Sequence, residues 1–284
     1  MESTEVRLGP EHLAGCLALS RSALWNQNEA DWRLMLELGE GWGIALADGT
    51  LAASTVVLPY GERFAWVSMV LVLPEHRRKG YATQLLRVAL AHLKNRALTP
   101  ILDATPAGHE VYVQEGFRDT WGFRRFSLAN KPILQSDDHQ SANVREVRES
   151  DWESILKIDS RAFGASRESL LRSLARRLPQ SALIVEKNQR VSGFLLGRDG
   201  REASQLGPLV AADAEAARSL LAEALRRVAA PLYLDIVDHA PQLQAWLAVC
   251  GFALQRPFTR MVHGAPRAPG EEKNVFLVGG PELG

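Results

Sequence analysis

The stretch VLVLPEHRRKGYATQLL, Val70–Leu86, decides how this 284-residue chain is read. Its start belongs to RFAWVSMVLVL, Arg63–Leu73, a β-branched and apolar run that reads as a strand closed by Pro74. Beyond Gly80, Ala82, Leu85, Leu86, Ala89 and Leu90 keep the spacing of an amphipathic helix. The loop EHRRKG therefore runs into a helix N-terminus, where unpaired backbone N–H groups and the positive end of the helix dipole favour an anion. Arg77, Arg78 and Lys79 add three cations there, which on their own oppose the dipole. A bound polyanion removes that conflict. Gly80 has no Cβ to obstruct a ligand approaching the backbone. The glycines and lysine of a P-loop are missing.

Working outward, the chain repeats itself. Gly116-Phe117 and Gly251-Phe252 lie 135 residues apart, as do Phe123 and Phe258, and Arg125 and Arg260. The same shift carries Ala82, Leu85, Leu86, Ala89 and Leu90 onto Ala217, Leu220, Leu221, Ala224 and Leu225. A polar stretch with a proline, within ANKPILQSDDHQSAN, reads as a linker. The expected division is a first domain over 1–129, a linker over 130–143 and a second domain over 144–284. In each half a short strand comes first (Glu5–Leu8; Asn143–Glu146). One or two helices follow (Glu11–Leu38; Ser150–Arg177). Three strands come next: Gly43–Ala47, Leu51–Leu58 and Arg63–Leu73 in the first half, Ala182–Lys187, Arg190–Gly197 and Ala203–Val210 in the second. Then come the amphipathic helix, a strand (Pro100–Ala104; Pro231–Val237), a short helix and a last strand. The order implies an α+β fold, mixed α/β layers in which a mixed, mostly antiparallel sheet is flanked by helices.

Composition sets outer limits. With 33 basic and 33 acidic residues the formal net charge is zero, so nothing general draws the chain to nucleic acid or an anionic membrane. The N-terminus MESTEVRLGP is polar and acidic, unlike a secretory signal, and no apolar run reaches membrane-spanning length. The two cysteines, Cys16 and Cys250, are far apart and read as buried thiols in a reducing compartment. A cytoplasmic protein is expected. The seven histidines show no metal-ligand spacing, so no metal is expected.

VLPEHRRKGYA resembles the pyrophosphate-binding motif of the GNAT superfamily of N-acetyltransferases, with Arg77, Gly80 and Ala82 in the motif positions. VYVQEGF is similar to the family's second motif, a tyrosine four residues before Gly-Phe, matched by Tyr112 and Gly116. The resemblance is good over Glu5–Leu128 and weak over the second half, as in tandem GNAT proteins with a divergent C-terminal copy. It implies acetyl-CoA as donor. The pyrophosphate would lie on the loop amides of Arg77, Arg78, Lys79, Gly80, Tyr81, Ala82 and Thr83. The pantetheine arm would run along a splayed fourth strand at Leu71, Val72 and Leu73.

Aminolysis of a thioester needs a neutral amine, stabilisation of an oxyanion and a proton for the leaving thiolate. By resemblance Tyr112 is the acid; the bland alternative is a core tyrosine anchoring a short helix. The glutamate that many members place on the fourth strand is absent, because no carboxylate occurs between Arg63 and Leu73. The base is then a water chain, bulk solvent or a residue from elsewhere, with Asn26, Glu29, Asp235 and Asp238 as candidates, and Asn26, Glu29 and Asp235 are also the acceptor-side candidates. Trp25 and Trp32 are candidate pocket walls or core residues, and Arg256 and Arg260 either bind an acidic acceptor or pair with carboxylates.

The second copy reads as degenerate. Arg77-Arg78-Lys79-Gly80 falls on Ala212-Asp213-Ala214-Glu215, and Tyr112 on Leu247. Carboxylates there suit an empty helix N-terminus and repel a pyrophosphate. The expectation is a first domain that acetylates an amine of a small molecule and a second that binds no coenzyme. The other readings are an acyl-CoA-binding sensor without catalysis and a protein N-acetyltransferase.

Overall fold

The computed structural model describes residues 3–134 and 143–284. Most of the expected linker, at 135–142, lies outside the described residues. Two compact units emerge: Met1–Thr120 with Met261–Arg267 and Leu283, and Trp121–Arg260 with Ala268–Glu282 and Gly284.

The first unit opens with β1 (Ser3–Arg7), α1 (Leu13–Ser22) and α2 (Glu29–Leu38). The helical region expected at Glu11–Leu38 breaks into two, because Asn28 caps α2 by accepting from the Asp31 N–H (3.2 Å) while Asp31 accepts from the Asn28 N–H (2.9 Å). β2 (Glu40–Leu46), β3 (Leu51–Tyr60), β4 (Phe64–Val72), α3 (Tyr81–Asn95), β5 (Thr99–Ala104), α4 (Pro106–Gln114) and the start of β6 (Phe117–Leu128) follow. Sheet order is β1-β2-β3-β4-β5, antiparallel except between β4 and β5. One core cluster joins Trp42, Ile44, Ala53, Val57, Ala65 and Val67 of the strands to Leu85, Leu86, Ala89 and Leu93 of α3, with Phe117 and Met261. Each leucine that α3 buries contributes about 1.5–3 kcal/mol, which outweighs any local helix preference. α1 and α2 pack against β3, burying Leu13, Cys16, Leu19, Trp32 and Met35.

The second unit repeats the plan with β7 (Val144–Glu146), α5 (Trp152–Phe163), α6 (Glu168–Arg177), β8 (Leu183–Lys187), β9 (Arg190–Arg198), β10 (Ser204–Ala211), α7 (Ala214–Arg227), β11 (Leu232–Val237), α8 (Pro241–Val249) and most of β12 (Ala253–His263). It adds a strand that the sequence did not announce, β13 (Val275–Leu277). Here β10 and β11 are the parallel pair, in register from Ser204↔Leu232 to Leu206↔Leu234. β11 takes the later part of β6 on its other edge, from Val237↔Phe123 to Leu232↔Leu128. The mixed, mostly antiparallel sheet flanked by helices is therefore present in both units.

Among the described residues no helix is long and apolar enough to cross a membrane. Both cysteines are buried and free.

Candidate active site

In the first unit β4 and β5 pair over only three residues, Phe64↔Thr99, Ala65↔Pro100 and Trp66↔Ile101. Beyond Trp66 that ladder stops and the edge of β4 facing β5 opens. The register with β3 also shifts, from Val56↔Ser68 to Ser54↔Leu71, so Met69 and Val70 together oppose one residue. This is a β-bulge. Met69 takes a positive φ of 53°, and its carbonyl accepts the Ser54 hydroxyl at 2.8 Å. Beside the bulge, Ser68 holds a buried hydroxyl oxygen that has no protein partner among the described residues.

The three strand residues expected to face the coenzyme are not equivalent. The Leu73 N–H donates to the Ala52 carbonyl at 2.9 Å and is committed to β3. Because backbone groups alternate between the two edges of a strand, Val72 presents its own to the open side, and Leu71 pairs with Ser54 on β3. The Val72 carbonyl accepts from Arg77 Nε at 3.3 Å. Of Leu71, Val72 and Leu73, Val72 is therefore the one whose backbone faces the open edge, with the bulge beside it.

The basic loop leads into α3, whose N-cap Gly80 has φ 84° and no side-chain cap. A Cβ added at Gly80 would meet nothing within 4 Å. The glycine is required by its left-handed backbone, not by crowding. Arg78 shares that conformation with φ 61°. Arg78 and Lys79 are exposed, and Lys79 Nζ lies 3.1 Å from Nδ1 of the buried His76. The amides at Gly80, Tyr81, Ala82 and Thr83 precede the first intrahelical bond, Gln84 N–H to the Gly80 carbonyl at 2.9 Å. An uncapped helix end under three cations, beside an open strand edge, fits a long anionic ligand with a chain that adds to the sheet.

Tyr112 lies on α4 and packs against the α3 core. Its ring meets Phe117 edge to face at 6.0 Å and covers Gly108, where a Cβ would stand 3.0 Å from Cε2 and 3.5 Å from the hydroxyl. Burial alone pushes the phenol up to about 12. Gly108→Ala favours the helix by about 1 kcal/mol but must tilt this ring. The expected outcome is an unchanged or higher melting temperature with kcat lowered about tenfold, read by calorimetry and a thiol-release assay. Sequence reading passed over Gly108, since nothing local distinguishes it from an ordinary helical glycine.

The acceptor-side candidates do not come together as one group. Asn26 is buried in the α1–α2 connection, while Glu29 is exposed in the first turn of α2 and pairs with Arg33 at 2.6 Å. Asp235 lies in the second unit with no exposed surface, its oxygens bound by Arg125 Nε at 2.8 Å and Nη2 at 2.7 Å and by Gln205 Nε2 at 2.7 Å. Asp235 thus has the structural role that stood beside the acceptor role, because it is fully buried in its pair with Arg125. Asp235→Ala leaves the Arg125 charge buried and unpaired, so a loss of about 3–5 kcal/mol in unfolding free energy is expected from denaturant titration. Trp32 is a core residue whose Nε1–H donates to the Ser20 hydroxyl at 2.9 Å. His109 pairs with Asp119 at 2.8 Å. Arg260 stacks over Trp121 at 4.1 Å and Arg256 over Phe258 at 5.4 Å.

In the second unit the corresponding places are filled. Asp213 caps α7, accepting from the Ala216 N–H at 2.9 Å. That bond, helped by Lys187, holds its carboxyl below the usual carboxylate range. α7 begins at Ala214, two residues earlier than α3 at the 135-residue shift, so the place of the loop becomes a first helical turn. The gap between β10 and β11 is occupied by β13, which pairs with both: Leu209↔Leu277 and Val210↔Val275 on one side, Ile236↔Leu277 on the other. Gly207 allows the approach, since a Cβ there would stand 2.2 Å from the Val278 carbonyl oxygen.

A parallel strand pair thus parts beside an uncapped helix, with the tyrosine on the helix that follows β5. Two acetyltransferase family descriptions match the chain, "Acetyltransferase (GNAT) family" over residues 11–117 and "Acetyltransferase (GNAT) domain" over residues 155–277. The chain belongs to the GNAT acetyltransferases and carries two such domains. It is 23% identical over 250 residues to the "Uncharacterized N-acetyltransferase YitH" of Bacillus subtilis, covering 87% of this chain and 86% of the relative. It is 25% identical over 250 residues to a "Holothin acyltransferase" of Pseudoalteromonas sp., covering 86% and 82%. A putative acetyltransferase from Pyrococcus horikoshii shares the fold, with a TM-score of 0.82 at 20% identity over 99% of this chain and 96% of that one.

Proposed function

We propose that the first half, 1–129, binds acetyl-CoA and transfers its acetyl group to an amine of a small molecule, and that the second half, 144–284, keeps the fold without a coenzyme. The parting of β4 from β5 after Trp66, beside the uncapped end of α3, carries this reading. The loop from Arg77 to Thr83 grips the diphosphate with backbone amides, and Arg77, Arg78 and Lys79 balance its charge. The open edge at Val72 pairs with the pantetheine amides as a neighbouring strand does.

In the reaction the amine nitrogen bonds to the acetyl carbon as the carbon–sulfur bond breaks. The amine sheds a proton to solvent, the Tyr112 hydroxyl gives one to the departing sulfur, and the phenolate regains a proton from solvent before the next turnover. A phenol raised to about 12 looks too weak an acid for a thiolate, whose ordinary pKa is about 8.5. Low-dielectric surroundings that raise the phenol also raise a thiol placed beside it, since both carry charge only when deprotonated. In this reading Glu29 is the acceptor-side carboxylate and Asn26 orients the α1–α2 connection. Two buried free thiols suit a cytoplasmic setting.

The absence of a carboxylate between Arg63 and Leu73 favours a second reading, an acyl-CoA sensor. Against it, a relative over most of the chain is named an acyltransferase. An amine library screened for thiol release from acetyl-CoA separates the two. Release with some small amines and not with peptides supports the enzyme, and release with none refutes it.

One coenzyme per chain is expected. Asp213→Ala removes a cap worth about 1 kcal/mol and lowers the melting temperature, yet β13 still fills the slot. Calorimetry should give a stoichiometry of one for both proteins; a value of two would contradict the degenerate second half.

A further inference from the structure

β12 is divided between the two units. Its first part belongs to the second unit, but Met261–Arg267 belongs to the first. Met261 is fully buried in the α3 core cluster. His263 stands two residues further on and so shares that face of the strand. Its imidazole meets Phe117 edge to face at 5.3 Å. It also covers Gly116, φ 91°, so closely that a Cβ there would stand 3.2 Å from Nε2. Phe117 in turn meets Tyr112 edge to face at 6.0 Å. Three rings thus follow in series from the last strand of the second half to the proposed acid.

α4 depends on such contacts. It has nine residues, none of them fully buried, so its orientation rests on what side chains like the Tyr112 ring touch. The second unit shows the same arrangement with the ownership reversed. The 135-residue shift carries Tyr112, Gly116 and Phe117 onto Leu247, Gly251 and Phe252, and Leu128 onto His263. There Leu128, at the end of β6, covers Gly251, where a Cβ would stand 3.5 Å from Cδ1. Each half therefore ends on a residue that covers the glycine of the other half. Leucine is enough to fill the place beside Leu247. A ring occurs only on the side that carries the tyrosine. Edge-to-face rings prefer a defined geometry, which an aliphatic contact does not impose.

We propose that His263, supplied by the second half of the chain, is a positioning residue for Tyr112: through Phe117 it fixes the tyrosine ring so that the hydroxyl meets the departing sulfur. The inference rests on the reading of Tyr112 as the acid and goes beyond it, because it gives the half without a coenzyme a part in the chemistry of the first domain. His263 acts through Phe117 and not on the reacting atoms. The motifs of the first half do not include it, since it lies far along the chain from both.

The test compares full-length variants, with kcat read by thiol release using an amine that the wild type acetylates, and Kd for acetyl-CoA read by calorimetry. His263→Leu fills the place as the second unit does. It is expected to lower kcat about tenfold and to leave Kd within about twofold. Should His263→Leu fail to fold, His263→Met fills the place without a ring and carries the same expectations. His263→Phe keeps a ring edge on Phe117 and should hold kcat within about threefold of the wild type. Once Tyr112→Phe has removed the hydroxyl, adding His263→Leu should change kcat by less than about twofold, because the two residues act as a unit. An unchanged kcat in His263→Leu overturns this inference and leaves the acetyl-CoA reading standing. So does an equal fall in His263→Phe, or a fall of the same size when His263→Leu is added to Tyr112→Phe. An unchanged kcat in Tyr112→Phe alone overturns the acid assignment and this inference with it, and a wild type that releases thiol with no amine overturns the enzyme reading as well.

Discussion

Tyr112→Phe is expected to lower kcat for amine acetylation by about 100-fold or more, the usual worth of a positioned acid, while acetyl-CoA affinity stays within about twofold. The substitution removes one oxygen. The ring contacts with Phe117 and Gly108 remain, so the fold and the coenzyme site are undisturbed. Only the proton for the sulfur is lost. The pH profile adds a second signature. The phenol is raised from its ordinary 10 to about 12, so it stays protonated, and able to donate, throughout the accessible range. Activity should rise with pH as the acceptor amine loses its proton, with no descending limb from Tyr112 up to about pH 10. Equal turnover of wild type and Tyr112→Phe would remove the acid assignment, whereas a fall in activity between pH 8 and 10 that vanishes in the variant would keep Tyr112 as the acid and contradict only the raised phenol.

Arg78→Asp should weaken acetyl-CoA binding about 100-fold, measured as Kd by calorimetry. The 135-residue shift places Arg78 opposite Asp213, the residue that caps α7. The change therefore brings a carboxylate into the loop before α3, although Asp213 is the N-cap of α7 and Arg78 lies two residues ahead of the N-cap of α3. It removes a cation from the proposed diphosphate site and sets a carboxylate beside it, where it repels the phosphates. Losing one charge-assisted contact and gaining one repulsion sums to about 3 kcal/mol. Thermal stability of the free protein should change little, because Arg78 lies two residues before the N-cap Gly80 and a side chain there does not cap α3. An unchanged Kd in the folded variant would place the coenzyme elsewhere.

Much of this was legible along the chain. Three cations before Gly80 conflict with a helix dipole, and that conflict is visible in a handful of adjacent letters. Asp213 and Glu215 at the matching place show the opposite choice just as locally. The α3 and α7 stripes, with the paired Gly-Phe positions, exposed the duplication, because a helix writes its buried face at fixed intervals.

Asp235 shows where that reading stops. A carboxylate at a strand end looks available in sequence, and only the pairing of β6 with β11 brings Arg125 onto it, with Gln205 reaching it from β10. The length of the β4–β5 ladder, the bulge at Met69, β13 lodged between β10 and β11, and His263 over Gly116 are likewise meetings of residues distant in the chain. The sequence by itself determined the fold class, the repeat, the three cations before Gly80 and the carboxylates at the matching place, since each is written in short local patterns of adjacent or helically spaced residues. Tertiary structure alone decided which strand edge stays open and which is filled, because an edge is open or closed only by what a remote segment does beside it.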